Sequence, residues 1–232
     1  HAQNEQDEAK YIAEEIEKLM KEKQARLSDF VILYRTNAQS RILEEALLRF
    51  GLPYKVLGGV KFYARKEIKD LLSYLRVLVN PFDTDSLLRI INVPTRKIGT
   101  TTIQKLQAFA LARSLNVAEI FNHIEMVDQL TAQTKKNLQH FWQLFEKWRK
   151  DSEGKPVSEM IRIMVQDINY KGYLTDGTEE GGMRYENILE LISVASKYDG
   201  LESDLSLISF LEEVSLVAET DKLNQEESLV TM

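Results

Sequence analysis

Cysteine is absent from this chain of 232 residues, which removes disulfide frameworks, thiolate metal sites and cysteine nucleophiles from consideration. Proline is scarce, at four residues. No apolar stretch approaches the ~20 residues that a membrane-crossing helix needs; the run Phe30–Tyr34 is strand-sized. The first ten residues are polar and acidic, without the apolar segment of a secretory signal. The histidines, at positions 1, 123 and 140, share no ligand spacing, and no H-E-x-x-H exists. No phosphate-cradling G-x-x-x-x-G-K-[ST] is present: Gly154-Lys155 is followed by Pro156 and lacks the upstream glycine. There is no G-x-G-x-x-G and no readable Ser/His/Asp set. The sequence thus offers no catalytic residue and no metal ligand, and this chain alone is not expected to turn over a substrate.

What is present is ordinary globular material, 44% hydrophobic and 28% charged, enough for one large core or two smaller ones. The formal net charge of −6 argues against a generic nucleic-acid binder. Local charge argues otherwise. From Ser86 to Arg113 the only charged residues are Arg89, Arg96, Lys97, Lys105 and Arg113. Lys61, Arg65 and Lys66 form a second basic island. In an acidic chain such islands are where an anionic partner would dock, unless carboxylates from elsewhere cover them.

Periodicity organises the rest. Ala9, Ile12, Ile16, Leu19 and Met20 stripe a helix over 5–23. Phe30–Tyr34 predicts a strand covered on both faces, as in a parallel sheet. Asn37 is placed to cap a helix with core face Ile42, Leu43, Ala46, Leu47 and Phe50, stopped by Gly51 and Pro53. Tyr54–Leu57 predicts a short strand. Beyond Gly58-Gly59 nearly everything is helical, with stripes such as Ile68/Leu71/Leu72/Leu75/Val79, Ile103/Leu106/Phe109/Ala110, Leu138/Trp142/Phe145/Trp148 and Phe210/Leu211/Val214/Val217. Ser228–Met232 predicts the start of another strand. An α/β segment, a helical body and a return to strand is the order that a domain inserted into another domain produces, with Gly58-Gly59 and the polar stretch 219–227 as its two connections. His1 and the strand beginning at the other end both read as cuts from something longer.

Two stretches carry recognition chemistry. Arg35, Asn37, Gln39 and Arg41 lie where a parallel strand gives way to a helix, the position at which open α/β sheets bind ligands, with free N–H groups of the helix start nearby. The plain alternative is that Asn37 only caps and that the arginines only pair with Glu44 and Glu45. In the second stretch, Arg96 and Lys97 supply charge, Ile98-Gly99 supplies backbone that can approach a partner closely, and Thr100, Thr101 and Thr102 supply amides and hydroxyls for a phosphate. The plain alternative there is a turn with Thr101 as helix cap.

Asp29-Phe-Val-Ile-Leu-Tyr-Arg-Thr-Asn-Ala-Gln-Ser-Arg41, Gly58-Gly-Val-Lys-Phe-Tyr-Ala-Arg-Lys-Glu-Ile-Lys-Asp70 and Leu88-Arg-Ile-Ile-Asn-Val-Pro-Thr-Arg-Lys-Ile-Gly-Thr-Thr-Thr102 resemble, in the same order, motifs of superfamily 1 ATP-dependent DNA helicases of the PcrA/UvrD/Rep kind, most of all the PcrA branch of Gram-positive bacteria. The match is close over about residues 29–103; from 120 to 225 it is one of helical pattern and length. The resemblance implies an α+β fold, mainly α: part of a RecA-like domain 2A over 1–64, an inserted helical domain 2B over 65–226 with a helix-hairpin-helix-like loop, and a returning 2A strand at 227–232. It implies contacts to the tracked single strand at Arg35 and Asn37, with Gln39 and Arg41 beside them, and to duplex DNA at Arg96–Thr102. It places Gly58 and Gly59 at a hinge. The commoner family spelling has glycine where this chain has Lys97, so the tight turn must form without it. ATP and Mg²⁺ would serve the intact 3′→5′ enzyme and bind outside this fragment. The implied partners are single-stranded and duplex DNA and the rest of the helicase chain (1A, 1B and the remainder of 2A), with no membrane, and the setting is the bacterial cytoplasm and nucleoid, in repair or replication. Two other readings compete. One is a stand-alone helix-hairpin-helix DNA-binding module; the other is a helical protein-docking domain whose basic island takes an acidic protein, which duplex binding at two salt concentrations would separate.

Overall fold

The computed structural model describes residues 2–223 and 228–232. Helix α1 (Glu5–Lys23) starts where the Asn4 side chain accepts from the Asp7 N–H at 2.8 Å. Glu5, Asp7 and Glu8 in its first turn and Lys21 and Lys23 in its last complement the helix dipole. Its buried residues Ala9, Ala13 and Ile16 pack on helix α2 (Ser40–Arg49). Helix α2 ends as the glycine predicts: Gly51 is left-handed at φ +64°, and the Leu52 N–H returns to the Leu47 carbonyl at 2.8 Å.

Strand β1 (Tyr54–Lys55) runs parallel to β2 (Val230–Thr231), and Thr231 also bridges Val31 in parallel. The last residues of the chain therefore lie between two segments some two hundred positions earlier. The expectation for Phe30–Tyr34 needs correcting. The run forms a single bridge, and Val31 and Leu33 are 63% and 90% exposed while Ile32 faces the core. One face is covered because α1 and α2 pack on one side only; among the described residues nothing covers the other.

The helical body comprises α3 (Lys66–Val79), α4 (Thr84–Ile90), α5 (Thr100–Ala112), α6 (Ala132–Asp151), α7 (Val157–Asp167), α8 (Tyr170–Leu174), α9 (Glu179–Ala195) and α10 (Ser203–Leu223), with a 3-10 segment at Val117–Met126. Helix α3 is buried nearly all round, from Ile68 to Leu78, and is the element about which the others pack. Phe145 on α6, fully buried, meets Tyr74 of α3 as well as Phe141 and Trp148; truncating such a residue to alanine costs about 3–5 kcal/mol.

Two apolar clusters result. One gathers Ala13, Ile16, Leu27, Ile32, Leu47, Leu52, Tyr54, Val230 and Met232; the other runs from Phe62 to Val214. The break between them falls at Gly58-Gly59. The fold is α+β and mainly α, as expected. The second expected connection, 219–227, is helical to Leu223, and 224–227 lie outside the described residues. Among the described residues no helix is long and apolar enough to cross a membrane.

Candidate nucleic-acid interface

The loop between α4 and α5 is fastened from beneath. Asn92 Oδ1 accepts from the N–H groups of Arg96 at 2.7 Å and Ile98 at 3.1 Å. The Arg96 guanidinium turns inward: Nη1 donates to the carbonyls of Val93 at 2.9 Å and of Ile90 and Pro94 at 3.1 Å, and Nη2 donates to Tyr74 Oη at 2.6 Å. Tyr74 Oη in turn donates to the Val93 carbonyl, and burial pushes this phenol up to about 12. Asn137 Nδ2 on α6 donates to the Arg96 carbonyl at 2.9 Å, and the Ile98 side chain, 1% exposed, plugs the core.

The upper side of the loop is open. Lys97 is exposed, and among the described residues its ammonium has no hydrogen-bond or ion-pair partner. Its φ of +60° is left-handed, the conformation that glycine takes without cost; the turn does form with lysine in it. Gly99 is the N-cap of α5 at φ −85°, ψ 175°, with no side-chain cap. Its own torsions would suit any residue, yet a Cβ there would meet nothing within 4 Å. Thr100 and Thr101 are exposed and keep N–H groups that the helix cannot satisfy. Thr102 is half-buried, and its N–H is taken by the Gly99 carbonyl at 3.0 Å. Of the residues 96–102, Lys97, Gly99, Thr100 and Thr101 thus face outward. Arg96 and the Ile98 side chain hold the loop instead, because neutral carbonyls and an apolar core claim them. Helix start, cation and empty space together suit a phosphate oxygen.

At 34–41 the capping residue is Thr36, not Asn37: a 3-10 turn Asn37–Gln39 precedes α2, and Gln39 Oε1 accepts from the N–H groups of Arg35 at 2.9 Å and Thr36 at 3.1 Å. The Gln39 acceptor is therefore occupied by the loop's own backbone. Arg41 is 2% exposed and paired with Glu45 at 2.7 Å and Glu190 of α9 at 2.5 Å, so it cannot reach a strand of DNA. Burial works against its charge, but the two carboxylates outweigh it and raise its pKa. The Arg35 side chain is exposed, and among the described residues its guanidinium has no partner. Asn37 is exposed, with only a 4.0 Å approach of its Nδ2 to Met183 Sδ. Arg35 borders a cleft of about 480 Å³ that Tyr34, Ile42, Glu5, Glu8 and Glu190 also line.

Sequence offers Glu44 and Glu45 as partners for the arginines of this stretch. Glu45 does take Arg41, whereas Glu44 is held by other groups, and nothing in the sequence points to the brace that Arg65 forms. Glu44, 3% exposed, accepts from Ser40 Oγ at 2.7 Å, Tyr54 Oη at 3.0 Å and the Phe62 N–H at 3.1 Å. Burial pushes its carboxyl above the ordinary value of 4.5, against the pull of those hydrogen bonds. Gly58 is left-handed at φ +71°, and a Cβ on Gly59 would lie 3.1 Å from Val56 Cγ1. Both flanks of this exposed turn are anchored, Leu57 N–H to the Met232 carbonyl at 2.7 Å and Phe62 N–H to Glu44. Arg65, grouped by sequence with an anion-seeking island, points inward between α2, α3 and α9. An asparagine and an arginine inside a basic motif gave no local sign of these partners.

The family model of the UvrD-like helicase C-terminal domain matches residues 1–232. The chain is 38% identical to the ATP-dependent DNA helicase PcrA of Bacillus subtilis (strain 168), over 97% of its own length and 30% of that protein's. It is 38% identical to proteins of the same name from Staphylococcus epidermidis and Staphylococcus aureus, over 100% of its length and 32% of theirs. The chain thus spans about a third of the curated relatives it matches.

Proposed function

Because the chain belongs to the UvrD-like helicase C-terminal domain family, we propose that it is the DNA-contacting portion of an ATP-dependent helicase moving 3′→5′ along one strand. Residues 1–64 are part of domain 2A, 65–226 form domain 2B, and 227–232 return to 2A. The break in apolar packing between Val56 and Phe62 and the parallel pairing of Val230–Thr231 with Tyr54–Lys55 support this division. Gly58 and Gly59 are its hinge, Gly58 already holding the torsions that glycine alone takes without strain.

Arg35 and Asn37 grip the tracked strand through its backbone, without reading sequence. Lys97 and the amides of Gly99–Thr101 hold duplex phosphates ahead of it. The observation that carries this reading is the upper face of the loop before α5: a partnerless lysine beside an uncapped helix start whose glycine opens onto empty space. ATP and Mg²⁺ do not fit here. The sequence has no phosphate-cradling loop with its lysine. Both belong to the remainder of the helicase, which also supplies the other RecA-like domain in the bacterial cytoplasm.

The test is duplex binding across a salt titration. The chain should bind weakly and non-specifically, with Kd on the order of 10⁻⁴–10⁻⁶ M at physiological salt, and Lys97→Glu should weaken binding and lower the salt slope by about 1 or more. A Lys97→Glu variant that binds as the parent does overturns the loop assignment. DNA-stimulated ATP hydrolysis by the chain would overturn the placement of the nucleotide site.

A further inference from the structure

Arg65 sits at the N-cap of α3, half-buried, and every donor of its fork points to a different element. Nη1 donates to the backbone carbonyl of Asn37 at 2.9 Å and to Asn187 Oδ1 of α9 at 2.7 Å. Nη2 donates to Ser40 Oγ at the start of α2 at 2.7 Å, and Nε donates to the Val60 carbonyl at 3.2 Å. Asn187, 3% exposed, is itself fixed, its Nδ2 donating to Glu67 Oε1 at 2.7 Å. One helical turn further along α9, Glu190 holds Arg41 of α2. A single face of α9 thus reaches both the turn Asn37–Gln39 and the helix behind it.

The Asn37 carbonyl belongs to the peptide that sets where the Asn37 side chain stands. A planar guanidinium fixes several acceptors at once and tolerates little displacement of any. Moving α9 therefore strains or breaks the fork and releases that peptide. We propose that Arg65 is a positioning residue that couples the strand grip at Arg35 and Asn37 to the placement of the helical body. This rests on the reading of Arg35 and Asn37 given above. The coupling runs both ways: a bound strand that fixes the turn also favours the seat of α9 seen here.

The test uses the isotope-labelled chain and a fluorescent oligothymidylate. In Asn187→Ala, the amide resonance of Ala38, which shares the Asn37 peptide, should move, and oligothymidylate should bind about 2- to 30-fold more weakly. Arg65→Lys, which keeps the charge and loses the fork, should do the same. The double variant should be no weaker than Arg65→Lys alone, since the coupling passes through Arg65. Should Asn187→Ala fail to fold, Arg65→Lys carries both readouts. A lowered melting temperature with the Ala38 resonance and the affinity at parent values leaves Arg65 a structural brace and overturns the proposal. Arg35→Ala separates the two levels. If it binds as the parent does, the grip is misassigned and the coupling falls with it. If it weakens binding while Asn187→Ala and Arg65→Lys do not, only the coupling falls.

Discussion

Replacing Lys97 with glycine should raise stability and lower duplex affinity in the same variant. Lys97 holds φ +60°, a conformation that costs a residue with a Cβ about 1–2 kcal/mol. Glycine removes that cost but gives back about 0.5–1 kcal/mol through its greater freedom when unfolded. The net gain is about 0.5–1 kcal/mol, a rise of roughly 1–4 °C in Tm for a chain of this size. If Lys97 contacts a phosphate as proposed, the same change removes one cation from it. The slope of log Kd against log salt should fall by about 0.9, so that the contribution of Lys97 fades roughly threefold between 50 and 200 mM salt. Lys97→Ala separates the two effects: it keeps the left-handed strain and loses the charge, so it should lower affinity and slope without the rise in Tm. Thermal unfolding by circular dichroism and fluorescence anisotropy with a short duplex measure both. A Lys97→Gly variant that melts lower refutes the turn geometry, and unchanged slopes in both variants refute the phosphate contact.

Gly99→Val should leave Tm near the parent's, since its torsions are extended and a Cβ meets nothing within 4 Å. It should nevertheless cut duplex affinity on the order of tenfold, the worth of a charge-assisted N–H contact; full affinity would show that nothing approaches that backbone. Arg41→Ala strands Glu45 and Glu190 and should cost about 3–5 kcal/mol in urea unfolding, whereas a loss below 1 kcal/mol would mean that water already screens the cluster. Glu44, whose carboxyl burial raises above 4.5, keeps its proton when folded at a pH where the unfolded chain has lost it. Its contribution to stability is full below that ordinary value and declines as pH rises through the raised one. The Tm of the parent minus that of Glu44→Gln should therefore shrink between about pH 4 and pH 7, and a difference that grows over that range contradicts the assigned shift.

How far the sequence could be read depended on the range of the interaction. Helix stripes and the stop at Gly51 follow from neighbours within one or two turns, and the structure places them at Glu5–Lys23, Ser40–Arg49 and onward. At Phe30–Tyr34 the structure differs from the sequence expectation because an apolar run reports the capacity for burial, not whether both faces find a cover; Val31 and Leu33 do not. Asn37 and Thr36 are both capping residues by type, and only Gln39, three positions beyond Thr36, decides between them. Arg41 finds Glu190 across a separation of 149 residues, which no local pattern encodes. For the loop before α5, sequence located the segment and its helix start but could not say which cation faced out.

That last failure has a chemical cause, and it bears on how an acidic chain would hold DNA. Arginine, with a planar fork of several donors, suits interior sites with several acceptors, whereas lysine is a compact, strongly hydrated charge. In the basic island Arg89 pairs with the buried Asp70 at 2.7 Å, Lys105 donates to the Gln129 carbonyl at 2.9 Å, and Arg113 lies over the Phe109 ring. Lys97 alone of the five has no such partner among the described residues. Among the described residues Arg96, like Lys105 and Arg113, has no carboxylate partner. The partners of Arg96 are neutral carbonyls and a phenol, so its charge is held in place without being cancelled, whereas Asp70 neutralises Arg89 and two glutamates neutralise Arg41. If Lys97 makes the proposed phosphate contact, Arg96 supports it by holding the loop from beneath, and ion release should count about one cation, not five.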